Sequence, residues 1–126
     1  MWCRGIRGAT TVSANTREEI LEATQELLQK MIQVNDIPTD DVACVTLTTT
    51  PDLNAEFPAL AVRKIGWTDA ALLCGHEMDV PGSLKKCIRI LLLLNTEKKA
   101  SEIVHVYIRG AEVLRPDVAN KKTNKD

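Results

Sequence analysis

The apolar run Cys87-Ile88-Arg89-Ile90-Leu91-Leu92-Leu93-Leu94 carries a single charge, and Arg89 is the residue in this chain that most needs a chemical explanation. Strand alternation sets Ile88, Ile90, Leu92 and Leu94 on one face and Arg89, Leu91 and Leu93 on the other, so both faces read as buried. Desolvating an unpaired guanidinium costs a large part of a domain's whole stability, so a carboxylate or an anionic ligand must face it. Glu77, at the end of the preceding apolar run and separated from Arg89 by a Pro81-Gly82 turn, is the nearest acid in sequence. The pattern leaves two readings open: an ion pair that only fixes a hairpin, or a cation held in a dry site for an anion. A second cationic stretch lies in Arg4-Gly5-Ile6-Arg7-Gly8, where glycines let a ligand or backbone come close to Arg7. The plainer reading of both arginines is solvated charge on a sheet edge. Cys74 and His76 would share a strand face, which offers a metal two ligands only, and no C-x-x-C spacing joins Cys3, Cys44, Cys74 and Cys87. Reduced thiols and no metal are expected.

The elements that must hold these groups follow from period and punctuation. A first strand runs from Trp2 to about Thr11. Thr16-Arg17-Glu18-Glu19 has the form of a capping box, and Ile20, Leu21, Thr24, Leu27, Leu28, Met31 and Ile32 follow at helical spacing until Asn35. After Pro38 comes a β-branched strand, Val42 to Thr48. Pro58 at the first helical position and Gly66 as a C-terminal cap bracket a short helix from which Arg63 projects. Further strands are expected from Ala70 to Glu77, Cys87 to Asn95 and Glu102 to Arg109, the last placing His105 and Tyr107 on one face and extending through Val113-Leu114-Arg115. The fold class is α+β: a mixed sheet of about five strands with one long helix and one short one. One long helix covers one sheet face, so the face of Leu91 and Leu93 stays open and implies an oligomer.

The chain of 126 residues makes one domain, expected over 1–117, followed by a polar and disordered tail at 118–126. A net charge of -1, without a basic run outside the tail, gives no footprint for nucleic acid or an anionic membrane. No apolar run is long enough to span a bilayer and the start lacks the layout of a signal peptide, so a cytoplasmic protein is expected.

Several blocks, in order, resemble the AroH-class chorismate mutases: Arg4-Gly5-Ile6-Arg7-Gly8-Ala9-Thr10-Thr11-Val12, Thr50-Pro51-Asp52-Leu53, Phe57-Pro58-Ala59, Glu77-Met78-Asp79-Val80, Leu84-Lys85-Lys86-Cys87-Ile88-Arg89, His105-Val106-Tyr107 and Leu114-Arg115-Pro116-Asp117. The resemblance runs nearly end to end. It implies a homotrimer, a pseudo-α/β barrel with clefts between subunits, that rearranges chorismate to prephenate on the way to phenylalanine and tyrosine. By position it makes Arg89 the cation beside the breaking ether oxygen and Glu77 the acceptor for the ring hydroxyl. Arg7 would bind a carboxylate, and Leu73, Cys74 and Tyr107 would line the same pocket. Phe57, Ala59 and Arg63 would come from a neighbouring subunit, and Arg115 would help close the mouth. Leu60 stands where some relatives carry a charge.

A unimolecular Claisen rearrangement needs no nucleophile, proton relay, metal or cofactor. It needs a site that holds the compact conformer and offers a fixed cation where negative charge grows. Two other classes use similar parts. A non-catalytic trimer binding a small dicarboxylate would need the same arginines, and an imine or enamine hydrolase would need a base for water. Glu77 suits the latter poorly, since it is expected to be paired with Arg89.

Overall fold

The computed structural model describes residues 1–115, so the tail at 118–126 and the domain end at 117 lie outside the described residues. β1 (Trp2–Thr11) leads into α1 (Arg17–Asn35), β2 (Val42–Thr49), the short α2 (Ala59–Lys64), β3 (Ala71–His76), β4 (Cys87–Thr96) and the two-residue β5 (Val106–Tyr107). The five strands form one mixed sheet in the order β3-β2-β4-β1-β5. β4 is central and antiparallel to both neighbours, while β2 and β3 are parallel, as are β1 and β5. The hairpin expected between Glu77 and Arg89 is therefore corrected. β2 lies between β3 and β4, because the α2 crossover makes β3 run parallel to β2 on its outer edge.

α1 starts as its sequence requires: the Thr16 side chain accepts the Glu19 amide at 3.2 Å. The return arm of the capping box differs, since Glu19 bonds to the Ser13 amide and hydroxyl instead of Thr16. These bonds from Ser13 hold the Glu19 carboxyl below its ordinary range. Pro58 precedes the first residue of α2, one position earlier than expected, and Gly66 follows with φ 95, in the left-handed region that favours glycine. The expected strand from Glu102 to Arg109 shortens to Val106–Tyr107, and the stretch expected to extend it is a 3₁₀ turn, Arg109–Leu114.

One face of the sheet meets α1 and α2. Ile6, Val45, Leu47, Ile90, Leu92 and Leu94 pack there against Leu27, Leu28, Met31 and Val62. Gly8 permits this contact, because a Cβ at that position would lie 2.5 Å from Met31 Sδ and 3.1 Å from a Leu27 methyl carbon. The other face carries Leu91, 43% exposed, and Leu73, 67% exposed, while Leu93, expected beside Leu91 on the open face, is half-buried. Among the described residues no helix is long and apolar enough to cross a membrane.

The entry to β4 is clamped from the end of β2. The Thr50 amide donates to Cys87 O and the Thr50 hydroxyl oxygen accepts the Cys87 amide, both at 3.0 Å. Asp52 accepts the Lys86 amide at 2.9 Å and the Thr50 hydroxyl proton. Lys86 has φ 50, a conformation a non-glycine residue keeps only when its surroundings hold it. Burial pushes the Asp52 carboxyl up, but the bonds from Thr50 and Lys86 together outweigh it and leave the group below its ordinary range.

Two outcomes follow from this packing. Gly8→Ala should lower stability by about 1–3 kcal/mol through overpacking, read as a lower urea midpoint at unchanged m; an unchanged midpoint would mean that α1 does not seat tightly on β1. Asp52, depressed in the folded chain, contributes stability that is present above its unfolded value of about 3.9 and is lost as pH falls through the lower folded one. Asp52→Asn should therefore be less stable than wild type at neutral pH, with the gap narrowing in strongly acidic urea titrations. A gap constant with pH would show that the carboxylate's charge contributes nothing.

Candidate active site

The open face of the central strand brings the charged groups together. Arg89 stands in register between Thr48 of β2 and Ala9 of β1, a hydroxyl on one side and a small side chain on the other. Glu77 follows β3 directly, its amide donating to Thr49 O at 2.8 Å and its carboxylate accepting the Thr48 hydroxyl. Arg89 Nε lies 3.7 Å from Glu77 Oε2, which is an ion pair but too long for a hydrogen bond. Nε itself is buried and has no hydrogen-bond partner among the described residues. The rest of the guanidinium is not enclosed: 43% of the side chain is exposed, so the expectation of a strand buried on both faces is corrected at Arg89. Thr48 thus occupies Glu77, and Glu77 attracts the cation without using it up.

A cleft of about 410 Å³ opens over this pair, bordered also by Arg7, Tyr107, Leu114 and Arg115. That volume falls in the ordinary range of small-molecule sites, about 300–1,000 Å³. β1 supplies Arg7 from the register position opposite Leu91, and its backbone amide donates to His105 Nδ1 at 3.0 Å. β5 supplies Tyr107 opposite Ala9, and the ring is buried with Ala9, Cys87 and Ala111. Among the described residues, the charged groups that border the cleft are Arg7, Arg89, Arg115 and Glu77, a setting that favours an anionic ligand. At the foot of β4, burial pushes the Cys87 thiol up while the Arg89 cation opposes the shift, so the thiol stays protonated at neutral pH.

The remaining expected site residues lie elsewhere in the same chain. Phe57, Ala59, Arg63 and Cys74 border a second cleft of about 450 Å³, together with Leu60. It belongs to the α2 side, where Ala59 and Val62 join the core under α1. Leu73 and Cys74 point to opposite faces of β3: Leu73 is in register with Thr46 on the open face, and Cys74, in register with Leu47, packs against the core. Cys74 and His76 do share one cleft, but His76 Nδ1 sits 3.1 Å from Thr49 Oγ1, and among the described residues no third ligand group joins them. A wider groove of about 980 Å³ follows the outer flank of α1, where Glu18, Glu22 and Glu26 mix with Arg17 and Lys30. Its side chains come chiefly from one solvated helix flank and converge on nothing.

Thr48 and Leu114 were not singled out from the sequence. Thr48 reads as one more β-branched residue in Val42–Thr49, although its polar alternation with Thr46 marks the face that proves to border the cleft.

Residues 3–118 match the family model for chorismate mutase type I. The chain is 48% identical over 126 residues to chorismate mutase AroH of Bacillus subtilis (strain 168), covering 99% of each chain. It is 48% identical over 116 residues to chorismate mutase AroH of Thermus thermophilus, covering 91% of this chain and 95% of that one. A solved chorismate mutase from Clostridium thermocellum superposes with a TM-score of 0.86 at 51% identity, over 90% of this chain and 99% of the other. With a matching family model over nearly its whole length and relatives at this identity, the chain belongs to the chorismate mutase type I family.

Proposed function

We propose that this protein rearranges chorismate to prephenate, and that the cleft over Arg89 and Glu77 is where it does so. The observation that carries the reading is the guanidinium of Arg89, fixed on the central strand 3.7 Å from Glu77 and not consumed by it, with Arg7 and Arg115 on the same cleft. In the rearrangement a C–O bond opens as a C–C bond closes within one molecule, and nothing enters or leaves. Catalysis then rests on holding the compact conformer and on countering the charge that grows on the ether oxygen. Arg89 supplies that cation, and Glu77 accepts the ring hydroxyl. Substrate and transition state both carry two carboxylates, so Arg7, Arg63 and Arg115 contribute binding that is nearly uniform along the reaction. Tyr107 walls the apolar side of the cleft.

The assembly we propose is a homotrimer with each site between neighbours. Arg63, Phe57 and Ala59 border the cleft at α2 and are not among the residues that border the one over Arg89. A second copy laid on the open face, where Leu91 and Leu73 are exposed, could bring them to it. Leu73 and Cys74, on opposite faces of β3, would wall the seam. We place this enzyme in the cytoplasm, with its small soluble substrate.

The direct test is to add chorismate and follow loss of its absorbance with appearance of prephenate. Saturable first-order turnover is expected; tight binding without turnover would instead make the protein a dicarboxylate-binding trimer. Arg89→Lys keeps the charge but loses the planar fork, and should lower kcat by roughly a hundredfold or more with little change in Tm. Arg7→Lys should act chiefly on KM. Near wild-type kcat in the first with most of kcat lost in the second would exchange the two roles. Refolding inactive Arg7→Ala and Arg63→Ala chains together should restore part of the activity, because some sites then carry neither change. No recovery in proven mixed trimers would sink the shared site.

A further inference from the structure

Residues 103–115 carry Tyr107, Leu114 and Arg115 to the cleft, and besides the short β5 pairing with β1 and the core packing of Ile103 and Val106, two side-chain attachments tie them to the domain away from it. The first is Asn35, the last residue of α1 and only 1% exposed. Its Nδ2 donates to Met31 O at 3.0 Å and to Val104 O at 2.8 Å, and its Oδ1 accepts the Val104 amide at 2.8 Å. The carboxamide gives Val104 the donor and acceptor that a neighbouring strand would have given. That substitute is needed, because β5 pairs with β1 only at Gly8 and Ala9, helped by the Ile108 amide donating to Ala9 O at 3.1 Å. Between Val104 and Tyr107, His105 Nδ1 accepts the Arg7 amide, so the height of this segment also sets the backbone of Arg7.

The second attachment is Arg109, held at φ 53. Its Nε and Nη2 donate to the two oxygens of Glu26 on α1 at 3.0 and 3.3 Å, and its Nη1 donates to Thr11 O at 3.3 Å. The next amide, Gly110, donates to Thr11 Oγ1 at 3.0 Å, and a Cβ on Gly110 would fall 2.9 Å from that oxygen. From this close approach the 3₁₀ turn leads Leu114 and Arg115 to the mouth.

We propose that Asn35 and Glu26, neither of which borders the cleft, are positioning residues that set Arg7 and Arg115 against the carboxylates of the bound substrate and Tyr107 against its apolar side. The inference rests on reading the cleft as the chorismate site. Arg89 does not depend on these attachments, since it sits on β4 between two full ladders and behind the Thr50–Asp52 clamp. Loosening them should therefore weaken uniform binding and leave the bond-breaking step in place. A purely structural role would do the reverse: a smaller folded fraction lowers apparent kcat and leaves KM alone.

The test measures kcat and KM, per folded chain, for Asn35→Asp and Glu26→Ala. Asn35→Asp keeps the shape and the acceptor for the Val104 amide but removes both donations. KM should rise by about threefold to tenfold in each, with kcat within about twofold of wild type. The exchange Glu26→Arg with Arg109→Glu should bring KM back toward wild type. Wild-type KM in folded variants, or a fall in kcat with KM unmoved, would overturn the proposal. Should Asn35→Asp fail to fold, the exposed Glu26→Ala and the charge exchange decide it alone. Absence of turnover in the wild type, or of any KM effect from Arg7→Lys, would strike the reading of the cleft and not the positioning claim.

Discussion

A cation proposed to act on a substrate from a sheet has to be fixed and unspent at once, and these requirements oppose each other. A guanidinium taken from water into a dry cleft is stable when a carboxylate bonds it directly, but a direct fork would leave it little to offer a substrate oxygen. Here the Thr48 hydroxyl occupies Glu77, and Arg89 Nε stays 3.7 Å away, near enough for attraction and too far for a hydrogen bond. Partial exposure of the side chain limits the desolvation that the looser pairing must offset. Position does the fixing. β4 is hydrogen-bonded on both sides, and Asp52 and Thr50 hold its first residues, so Arg89 has little backbone freedom to lose on binding.

The same constraint explains why so many cations can share a small space. Among the described residues, Arg7, Arg89 and Arg115 border the cleft together with the acid Glu77. On the proposed reading, a dianionic substrate would meet these like charges with two carboxylates. In the proposed mechanism these charges act on groups that do not change during the reaction, so they would hold the substrate without distinguishing its transition state. The division between Arg89 and the other arginines is one of geometry relative to the breaking bond, since the charges are the same.

How far the sequence spoke depended on how local each signal was. α1 was legible because its period, its Thr16 cap and its Asn35 end are all local, although the return arm of the capping box went to Ser13. The Arg89–Glu77 pair was legible as an anomaly of burial, yet as a hairpin it was misread: neighbours in sequence were taken for neighbours in the sheet, and the α2 crossover put β2 between them. β5 was overestimated because alternation from Glu102 to Arg109 has the right period, while the backbone of Val104 is in fact satisfied by a side chain, that of Asn35, 69 residues away in sequence. Leu73 and Cys74, which the family resemblance assigns to one pocket, stand on opposite faces of β3, a placement that alternation along a strand already dictates. Thr48 escaped notice since its importance lies in whom it bonds.

The central claim is that Arg89 meets the ether oxygen while the other arginines hold carboxylates. The most direct measurement is a crystal structure of the protein bound to a bicyclic, oxygen-bridged dicarboxylate shaped like the compact transition state. The account predicts the bridging oxygen within hydrogen-bond distance of the Arg89 guanidinium, about 2.7–3.2 Å, with the ring hydroxyl on Glu77 and a carboxylate on Arg7. A bridging oxygen facing Arg7 or Arg63, with Arg89 paired to a carboxylate instead, would contradict it.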